Sequence, residues 1–225
     1  MRLILVRHGE STANAARIYQ GWNDDPLSPL GEQQACALAR ALTQRRDSGE
    51  IRPLALYASP LQRAWRTGVA IGEALGLTPV AHPGLREIDV GAASGVAFEE
   101  VERRWPELLA RRPELGLDYA WPEGESGWAF RARVAATLDE ILEWHRGAAE
   151  DEAVIVASHG GTIRFAVSYL RGDDPRAWPT DQIANCSLTE LAIAAAGDHR
   201  VVSLNRCDHL GTNAERGTRS TEQPE

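Results

Sequence analysis

Residues 3–10 read LILVRHGE, four apolar residues followed at once by polar and charged ones. A short apolar run of this kind predicts a β-strand buried on both faces, as in a parallel sheet covered by helices. Open parallel sheets bind ligands in the crevice at the carboxyl ends of their strands. Arg7 and His8 therefore stand where a strand would deliver side chains to a binding site.

Two more apolar runs repeat this arrangement. Residues 54–58 (LALYA) and 153–157 (AVIVA) predict strands, and they are followed by SPLQR at 59–63 and SHGG at 158–161. The letters SPLQ fit a capping box, which would open a helix that runs to about Leu75. A further helix is predicted after SHGG, ending near residue 170.

Helical patterns and two closing strands fill the rest of the sheet region. Ser28 and Pro29 form an N-cap and first-turn pair, followed by apolar residues at helical spacing as far as Leu42. Closing strands are predicted over residues 188–194 and 201–204. Strands that alternate with helices indicate an α/β fold with a mostly parallel sheet.

Residues 92–150 interrupt this alternation with a segment that reads as helical. Ser126 is a candidate N-cap for a helix whose apolar face begins at Phe130. We interpret the segment as an insertion whose aromatic residues pack its own core, and a substrate-binding aromatic box is the alternative. The segment holds four of the seven tryptophans, Trp105, Trp121, Trp128 and Trp144.

The end of the chain has a different composition. Residues 211–225 read GTNAERGTRSTEQPE, with a single alanine among polar residues, glycine and proline. Such a segment buries too little apolar area to offset the entropy of ordering it. We therefore expect a disordered tail at 211–225 behind one domain of residues 1–210.

Composition and charge narrow the functional class. The 225 residues carry 24 basic and 32 acidic side chains, a net charge of −8 without a basic run, so nucleic acid is not an expected partner. No apolar run approaches the roughly 20 residues of a membrane span, and the first strand reaches Arg7 too soon for a signal peptide. We expect a cytoplasmic protein that does not enter membranes.

Two residue types, the basic residues and the cysteines, narrow the functional class further. All of the basic residues are arginine, which excludes the P-loop and the Schiff-base enzymes, because both need a lysine. Cys36, Cys186 and Cys207 are odd in number and far apart, which indicates reduced thiols rather than a disulfide framework or a zinc site.

The three strand ends together suggest an anion site. They bring two imidazoles, His8 and His159, and two guanidiniums, Arg7 and Arg63, to one edge of the sheet. Such a cluster of positive charge favours an anionic guest such as a phosphoryl group, and the helix N-termini that follow Ser59 and Gly161 would add to the attraction. His8 is the candidate nucleophile, since an imidazole nitrogen can attack phosphorus to give a phosphoramidate.

Phosphoryl transfer to His8 also needs a proton donor for the leaving alkoxide. The stretch LREID at 85–89 offers Glu87 and Asp89, and Glu10 follows the first strand. Physical reasoning from the sequence does not separate these three carboxyl groups.

The chain resembles the histidine phosphatase superfamily, also called the phosphoglycerate mutase-like family, over about residues 1–210. The resemblance rests on an ordered set of motifs: RHGESTAN at 7–14, GWNDDPLSPLGEQQA at 21–35, ASPLQRAWRT at 58–67, LREIDVGAASG at 85–95, PEGES at 122–126, SHGG at 158–161 and NCS at 185–187. It implies a three-layer α/β/α sandwich with a mostly parallel sheet and a helical insertion over the active site. It implies neither a metal nor a cofactor.

The resemblance also implies roles for individual residues. His8 would be the phosphorylated residue, and Glu87 the proton donor and then the base. The phosphate pocket would contain Arg7, Arg63 and His159, with phosphate or substrate contacts from Asn14, Gln20, Gly21 and Gly160.

The implied activity is that of a phosphatase acting on a small-molecule phosphomonoester, and no local motif identifies which one. Residues 85–91 resemble the phosphatase branch, whereas Ala92-Ala93-Ser94 depart from an acidic-aromatic pair common there. A phosphoglycerate mutase is therefore the alternative, followed by a binder without catalysis. A serine hydrolase built on Ser126 fails because Trp128 replaces the second glycine of the nucleophile elbow. An exposed sheet edge could support a homodimer.

Overall fold

The computed structural model describes residues 1–194 and 199–211. The strands are β1 (Arg2–Arg7), β2 (Arg52–Ala58), β3 (Val80–Ala81), β4 (Glu152–Ser158), β5 (Leu188–Ala192) and β6 (Arg200–Arg206). The helices are α1 (Thr12–Ala15), α2 (Pro29–Asp47), α3 (Gln62–Leu75), α4 (Phe98–Arg104), α5 (Pro106–Leu115), α6 (Gly127–Trp144) and α7 (Gly160–Arg171). Apart from Gly211, the tail expected at 211–225 lies outside the described residues.

The strands form one sheet in the order β3-β2-β4-β1-β5-β6. The pairs β3–β2, β2–β4 and β4–β1 are parallel. In the register, Arg7 pairs with Ser158, and Ala58 pairs with Ala157. The carboxyl ends of β1, β2 and β4 therefore reach the same edge of the sheet within one residue of each other, as the sequence predicts.

The other edge of the sheet is antiparallel. β5 runs antiparallel to β1, and β6 runs antiparallel to β5. The connection over residues 193–199 is too short for the crossover that a parallel pair needs, which takes about a dozen residues or more. The prediction of a mostly parallel sheet is confirmed, but β5 ends at Ala192 instead of residue 194.

Helices cover both faces of the sheet. Along β1, Ile4 and Val6 point to the apolar cluster that includes Leu38 of α2 and Ile71 of α3. Leu3 and Leu5 point to the opposite cluster, which α6 and α7 complete. Successive side chains of a strand point to opposite faces of the sheet, so β1 contributes to both cores. The three-layer α/β/α sandwich is therefore confirmed.

Two predicted helix starts are correct. The Ser28 hydroxyl accepts a hydrogen bond from the backbone N–H of Gly31 at 3.0 Å and caps α2. Ser126 caps α6 in the same way, accepting from Ala129 N at 3.2 Å.

The capping box predicted at residues 59–62 is wrong. α3 begins at Gln62, and its backbone N–H donates to Asp24 Oδ1 at 2.6 Å. Ser59 instead turns its hydroxyl towards His159, with 2.8 Å between Oγ and Nε2. The Asp24 carboxylate arrives from a loop that is distant in sequence, and its charge makes it a strong acceptor at a helix N-terminus. The first N–H of α3 is thus bonded to this carboxylate.

The segment from Val90 to Ser126 has a small core of its own. Val90, Val101, Tyr119 and Trp121 are buried there, and the Trp105 and Trp121 rings lie 5.7 Å apart in an edge-on contact. Trp128 and Trp144, by contrast, are exposed. Two of the four tryptophans thus support the interpretation of an aromatic core. In the described part of the chain, every helix is too short or too polar to cross a membrane.

Candidate active site

The backbone ladder between β1 and β4 continues one step beyond the strands and sets the two histidines side by side. His8 N donates to Ser158 O at 2.9 Å, so His8 and His159 leave the sheet together. Their ring centroids are 5.2 Å apart with an angle of 60° between the planes. Both side chains are buried. The pairing that the sequence predicts is therefore present.

The His8 ring is fixed by its neighbour. Nδ1 lies 2.7 Å from the carbonyl oxygen of Gly9. Because a carbonyl oxygen can only accept, this contact assigns the proton to Nδ1 and leaves a lone pair on Nε2. Nε2 is the nitrogen that could attack an electrophile.

His159 stands at the N-cap of α7 and is held through Ser59. Its Nδ1 is buried and has no hydrogen-bond partner among residues 1–194 and 199–211. Burial of an unsatisfied polar atom costs free energy, which a bound group can recover. Gly160, the next residue and the first of α7, is also buried.

The two predicted arginines are oriented by backbone carbonyls. Arg7 Nη1 donates to Ile183 O at 2.7 Å. Arg63 Nη1 and Nη2 donate to Asn23 O at 2.7 Å and to Gly21 O at 2.8 Å. Gly21 has a φ of +49°, a conformation that favours glycine, so its carbonyl can face Arg63 without strain.

The electrostatics of the cluster keep both imidazoles neutral. Burial lowers the pKa of His8 well below 6.5, and the Arg63 and Arg7 guanidiniums lower it further. Burial again has the largest effect and lowers the pKa of His159 well below 6.5. The neighbouring Arg63, His8 and Arg7 side chains lower it further. A neutral His8 is the form that can act as a nucleophile. A bound dianion would favour protonation of His159, because it supplies the missing negative charge.

Glu87 is held at the start of α7. Its Oε2 accepts from Gly161 N at 3.0 Å, and its Oε1 accepts from Ile88 N at 3.0 Å. A Cβ atom at position 161 would collide with Glu87 Oε1, so glycine is required for this close approach. The N-terminal N–H of α7, which the sequence assigns to an anionic ligand, is thus engaged by this carboxylate.

The other two candidate acids make different contacts. Glu10 Oε1 accepts from the Ser28 hydroxyl at 2.8 Å, beside the start of α2. Asp89 Oδ1 accepts from Gly91 N at 2.9 Å. Of the three carboxyl groups, that of Glu87 bonds to Gly161, two residues after His159.

The remaining predicted contacts converge from the loop after β1. Asn14 Oδ1 accepts from Ser11 N at 3.2 Å and lies 3.4 Å from Asn185 Nδ2. The Gln20 amide oxygen accepts from the Ser11 hydroxyl at 2.7 Å. Asn185 Nδ2 also donates to His8 O at 3.0 Å, which links Asn14 to the central histidine.

Four residues with positioning contacts have no predicted role in the site: Ser59, Asn185, Trp22 and Arg133. Trp22 Nε1 and Arg133 Nη2 donate to the carbonyl oxygen of Glu87 at 2.7 and 3.1 Å. Arg133 is one of two arginines in α6, with Arg131, and nothing in the sequence distinguishes it from that neighbour. Ser59, Asn185 and Trp22 lie within the quoted motifs but carry no local indication of their partners.

A cavity of about 70 Å³ opens beside Glu87. Aromatic side chains from the loop after β1 and from the inserted segment line it, including Tyr19, Tyr119 and Trp121. Trp121 belongs to the small core of the insertion and also lines the cavity. It is therefore compatible with both an aromatic core and a substrate-binding aromatic box.

The cysteines form no disulfide, although the backbone N–H of Cys186 donates to the carbonyl oxygens of Arg7 and His8 at 3.1 and 3.2 Å. Burial raises the pKa of the Cys186 thiol, and all three cysteines are free thiols. Within residues 1–194 and 199–211, histidine, cysteine and acidic side chains form no cluster of three or more arranged to hold a metal ion.

The fold and the site together define a class of α/β/α proteins that carry two histidines at the carboxyl edge of a central sheet. The chain belongs to the histidine phosphatase superfamily, branch 1, whose family model matches residues 3–206. This confirms the resemblance found in the sequence.

Two relatives cover nearly the whole chain. The probable phosphoglycerate mutase GpmB of Yersinia enterocolitica is 33% identical over an alignment of 225 positions, which covers 93% of this chain and 99% of the relative. Phosphoserine phosphatase 1 of Hydrogenobacter thermophilus is 32% identical over 214 residues, 94% of this chain and 95% of the relative. The relatives thus include both activities that the sequence leaves open.

A solved structure of similar shape is a mycobacterial glucosyl-3-phosphoglycerate phosphatase in complex with VO3. It superimposes with a TM-score of 0.78 and 29% identity, covering 92% of this chain and 99% of that one. The similarity includes the sheet and the helices that cover it.

The lowered pKa values of His8 and His159 predict an acid-sensitive fold. As pH falls below the ordinary value of 6.5, the unfolded chain gains protons on these rings while the folded chain does not. The free energy of unfolding should therefore fall by up to about 1.4 kcal/mol per pH unit for each histidine. Urea unfolding between pH 7.5 and 5 measures this slope, and saturating inorganic phosphate should reduce it.

The matched variants are His8→Gln and His82→Gln. The first should flatten the pH dependence and weaken the phosphate effect, whereas the second changes a histidine that bonds to Glu140 outside the site. Equal slopes in wild type and His8→Gln would contradict a neutral buried His8.

Proposed function

We propose that the protein is a metal-independent phosphatase that hydrolyses a small-molecule phosphomonoester through a phosphohistidine intermediate on His8. The observation that carries this proposal is the fixed His8 ring, whose Nε2 is free of its proton beside His159 and two buried guanidiniums. The family membership and the phosphatases among the relatives support it.

In the first step, His8 Nε2 attacks phosphorus, and the N–P bond forms as the bond to the ester oxygen breaks. Arg7, Arg63 and His159 stabilise the charge on the three equatorial oxygens, where the transition state concentrates it. Protonated Glu87 gives its proton to the departing alkoxide, so that a neutral alcohol leaves. Asn14, Gln20, Gly21 and Gly160 are proposed to contact the phosphoryl group or the substrate.

In the second step, water attacks the phosphohistidine. The Glu87 carboxylate accepts a proton from this water, the N–P bond breaks, and inorganic phosphate and neutral His8 are formed. Glu87 can serve both steps because Gly161 N and Ile88 N hold its two oxygens at the start of α7. Trp22 and Arg133 hold its backbone carbonyl, which keeps the residue in place.

Replacement of the nucleophile tests the proposal directly. In a screen of metabolite phosphomonoesters, His8→Ala should lose at least about 10³-fold in kcat, because no other group forms the covalent intermediate. Release of inorganic phosphate is the measurement, carried out before and after exhaustive chelation, which should leave wild-type activity unchanged.

The control for this screen is His145→Ala, since His145 bonds to the Tyr57 hydroxyl outside the site. It should retain activity. Full activity of His8→Ala, or an absolute requirement for an added divalent ion, would overturn the scheme.

The assignment of the acid predicts a dependence on the leaving group. Glu87→Gln should slow alkyl phosphates by about 10²–10⁴-fold, because their alkoxides need a proton. It should slow 4-nitrophenyl phosphate by less than about tenfold, since that leaving group departs as an anion. Steady-state kinetics with both ester types in wild type and variant give the comparison.

Glu10→Gln serves as the parallel variant for this test. Its effect should be the same for both ester types, because its carboxylate bonds to Ser28. Equal losses for the two ester types in Glu87→Gln would move the acid role to another residue.

The alternative function is a phosphoglycerate mutase, which the name of the Yersinia relative favours. A mutase must protect its phosphohistidine from water while the substrate reorients, whereas a phosphatase admits water. If 3-phosphoglycerate is turned over, we expect its hydrolysis to inorganic phosphate to be faster than its conversion to 2-phosphoglycerate. Phosphorus NMR of the products distinguishes the two, and faster isomerisation would establish the mutase.

We further propose a cytoplasmic location, no nucleic-acid partner and a possible homodimer formed through a sheet edge. Residues 1–210 are proposed to form a single domain with its insertion at about 92–150. These proposals rest on the composition and motifs of the sequence.

A further inference from the structure

The cavity beside Glu87 combines an aromatic wall with one positive group. Its wall includes Tyr19, Trp121 and Trp178, and its floor includes Gly161 and Arg164 of α7. Gly161 and Arg164 are three residues apart, so they lie on the same face of the helix in successive turns. The cavity therefore extends along α7 away from the two histidines.

The carboxylates that line this cavity already have partners. Glu87 accepts from Gly161 N and Ile88 N. Glu125 forms an ion pair with Arg133 and accepts from Asp89 N at 2.9 Å. Arg164 differs, because its Nε donates to the backbone carbonyl of Asp181 at 2.8 Å and no carboxylate of the described chain forms an ion pair with it.

Two further features make the region favourable for an anion. The buried Tyr119 hydroxyl lines the cavity and finds no hydrogen-bond partner within the described residues. Arg112 lies over the Tyr119 and Trp178 rings at 5.4 and 5.6 Å. Burial lowers the pKa of Arg112, Tyr119 and Tyr19 raise it, and the charge of Arg164 lowers it by a smaller amount. The positive charges of Arg112 and Arg164 therefore repel each other, and an anion bound at Arg164 would weaken this repulsion.

We propose that Arg164 determines substrate specificity by binding a carboxylate on the leaving group, so that the preferred substrates are phosphomonoesters of hydroxy acids. The proposal rests on the proposed phosphatase function and deepens it. The phosphoryl group would lie at His8 and the start of α7, and the carboxylate one helical turn further on. The aromatic wall would cover the carbon skeleton between them.

The distance along the helix fits a small molecule. Three residues of α-helix advance about 4.5 Å, so the Arg164 guanidinium lies within reach of a carboxylate a few bonds from the ester oxygen. A guanidinium can donate two parallel hydrogen bonds to a carboxylate, which a hydroxyl group cannot accept in the same way. Arg164 would therefore discriminate between ligands that differ only at this group.

The test uses two ligands that differ at one carbon. 3-Phosphoglycerate carries a carboxylate where sn-glycerol 3-phosphate carries a hydroxymethyl group. Both are measured as competitive inhibitors of 4-nitrophenyl phosphate hydrolysis. Wild type should bind 3-phosphoglycerate at least about tenfold more tightly, and Arg164→Gln should remove this preference while binding of sn-glycerol 3-phosphate changes less than about twofold. Arg164→Lys should restore part of the preference.

The control variant is Arg52→Gln, which removes a positive charge at the amino end of β2, outside the cavity, where Arg52 pairs with Asp151 and Glu152. It should keep the wild-type preference, which separates a local contact from the loss of one charge. An equal loss of affinity for both ligands in Arg164→Gln, or no preference in wild type, would overturn the proposal.

Failure of the proposed function gives a different result. In that case no ester would be hydrolysed in a manner that depends on His8. Calorimetric titration of wild type and Arg164→Gln with the same two ligands would still decide the role of Arg164, because it measures binding without turnover.

Discussion

The hydrogen bond from His8 N to Ser158 O is the interaction on which the site depends. It extends the parallel register of β1 and β4 beyond the last strand residues, so that His8 and His159 emerge next to each other. A slip of one residue would invert every side chain of β1, since strand side chains alternate between faces. Leu3 and Ile4 would then each point to the opposite apolar cluster, and the two imidazoles would be separated. The packing that stabilises the sheet therefore also sets the distance between the histidines.

The same burial that fixes the rings determines their charge. A site that holds Arg7 and Arg63 in the interior disfavours a third and fourth positive charge, and the pKa values of both histidines fall accordingly. The protein's own charges thus keep His8 neutral, which is the form that the proposed nucleophile needs. The cost is an interior with excess positive charge, which backbone carbonyls offset in part. A phosphoryl dianion would complete the balance, so in the proposed mechanism affinity for the ligand and the state of His8 have one electrostatic origin.

The sequence predicted the sheet, most of its covering helices and the set of residues at the sheet edge, because these follow from periodicity and from strand ends. It failed where the partner comes from a distant loop. Asp24 caps α3 in place of Ser59, whose hydroxyl lies against Leu61 N and His159 instead. Arg133 shows the same limit, since only the fold brings it to the carbonyl of Glu87. The choice between Glu87, Asp89 and Glu10 required the resemblance for the same reason.

Helix α7 connects the two ends of the site. Its N-cap is His159, its first turn binds the Glu87 carboxylate through Gly161, and its next turn carries Arg164 into the aromatic cavity. Because these groups share one rigid helix, the distance from the phosphoryl position to the leaving-group position is fixed by helical geometry. The inserted segment contributes the wall opposite this helix, with Tyr119 and Trp121. Changes in the insertion can therefore alter which alcohol is accepted while the chemistry at His8 stays the same.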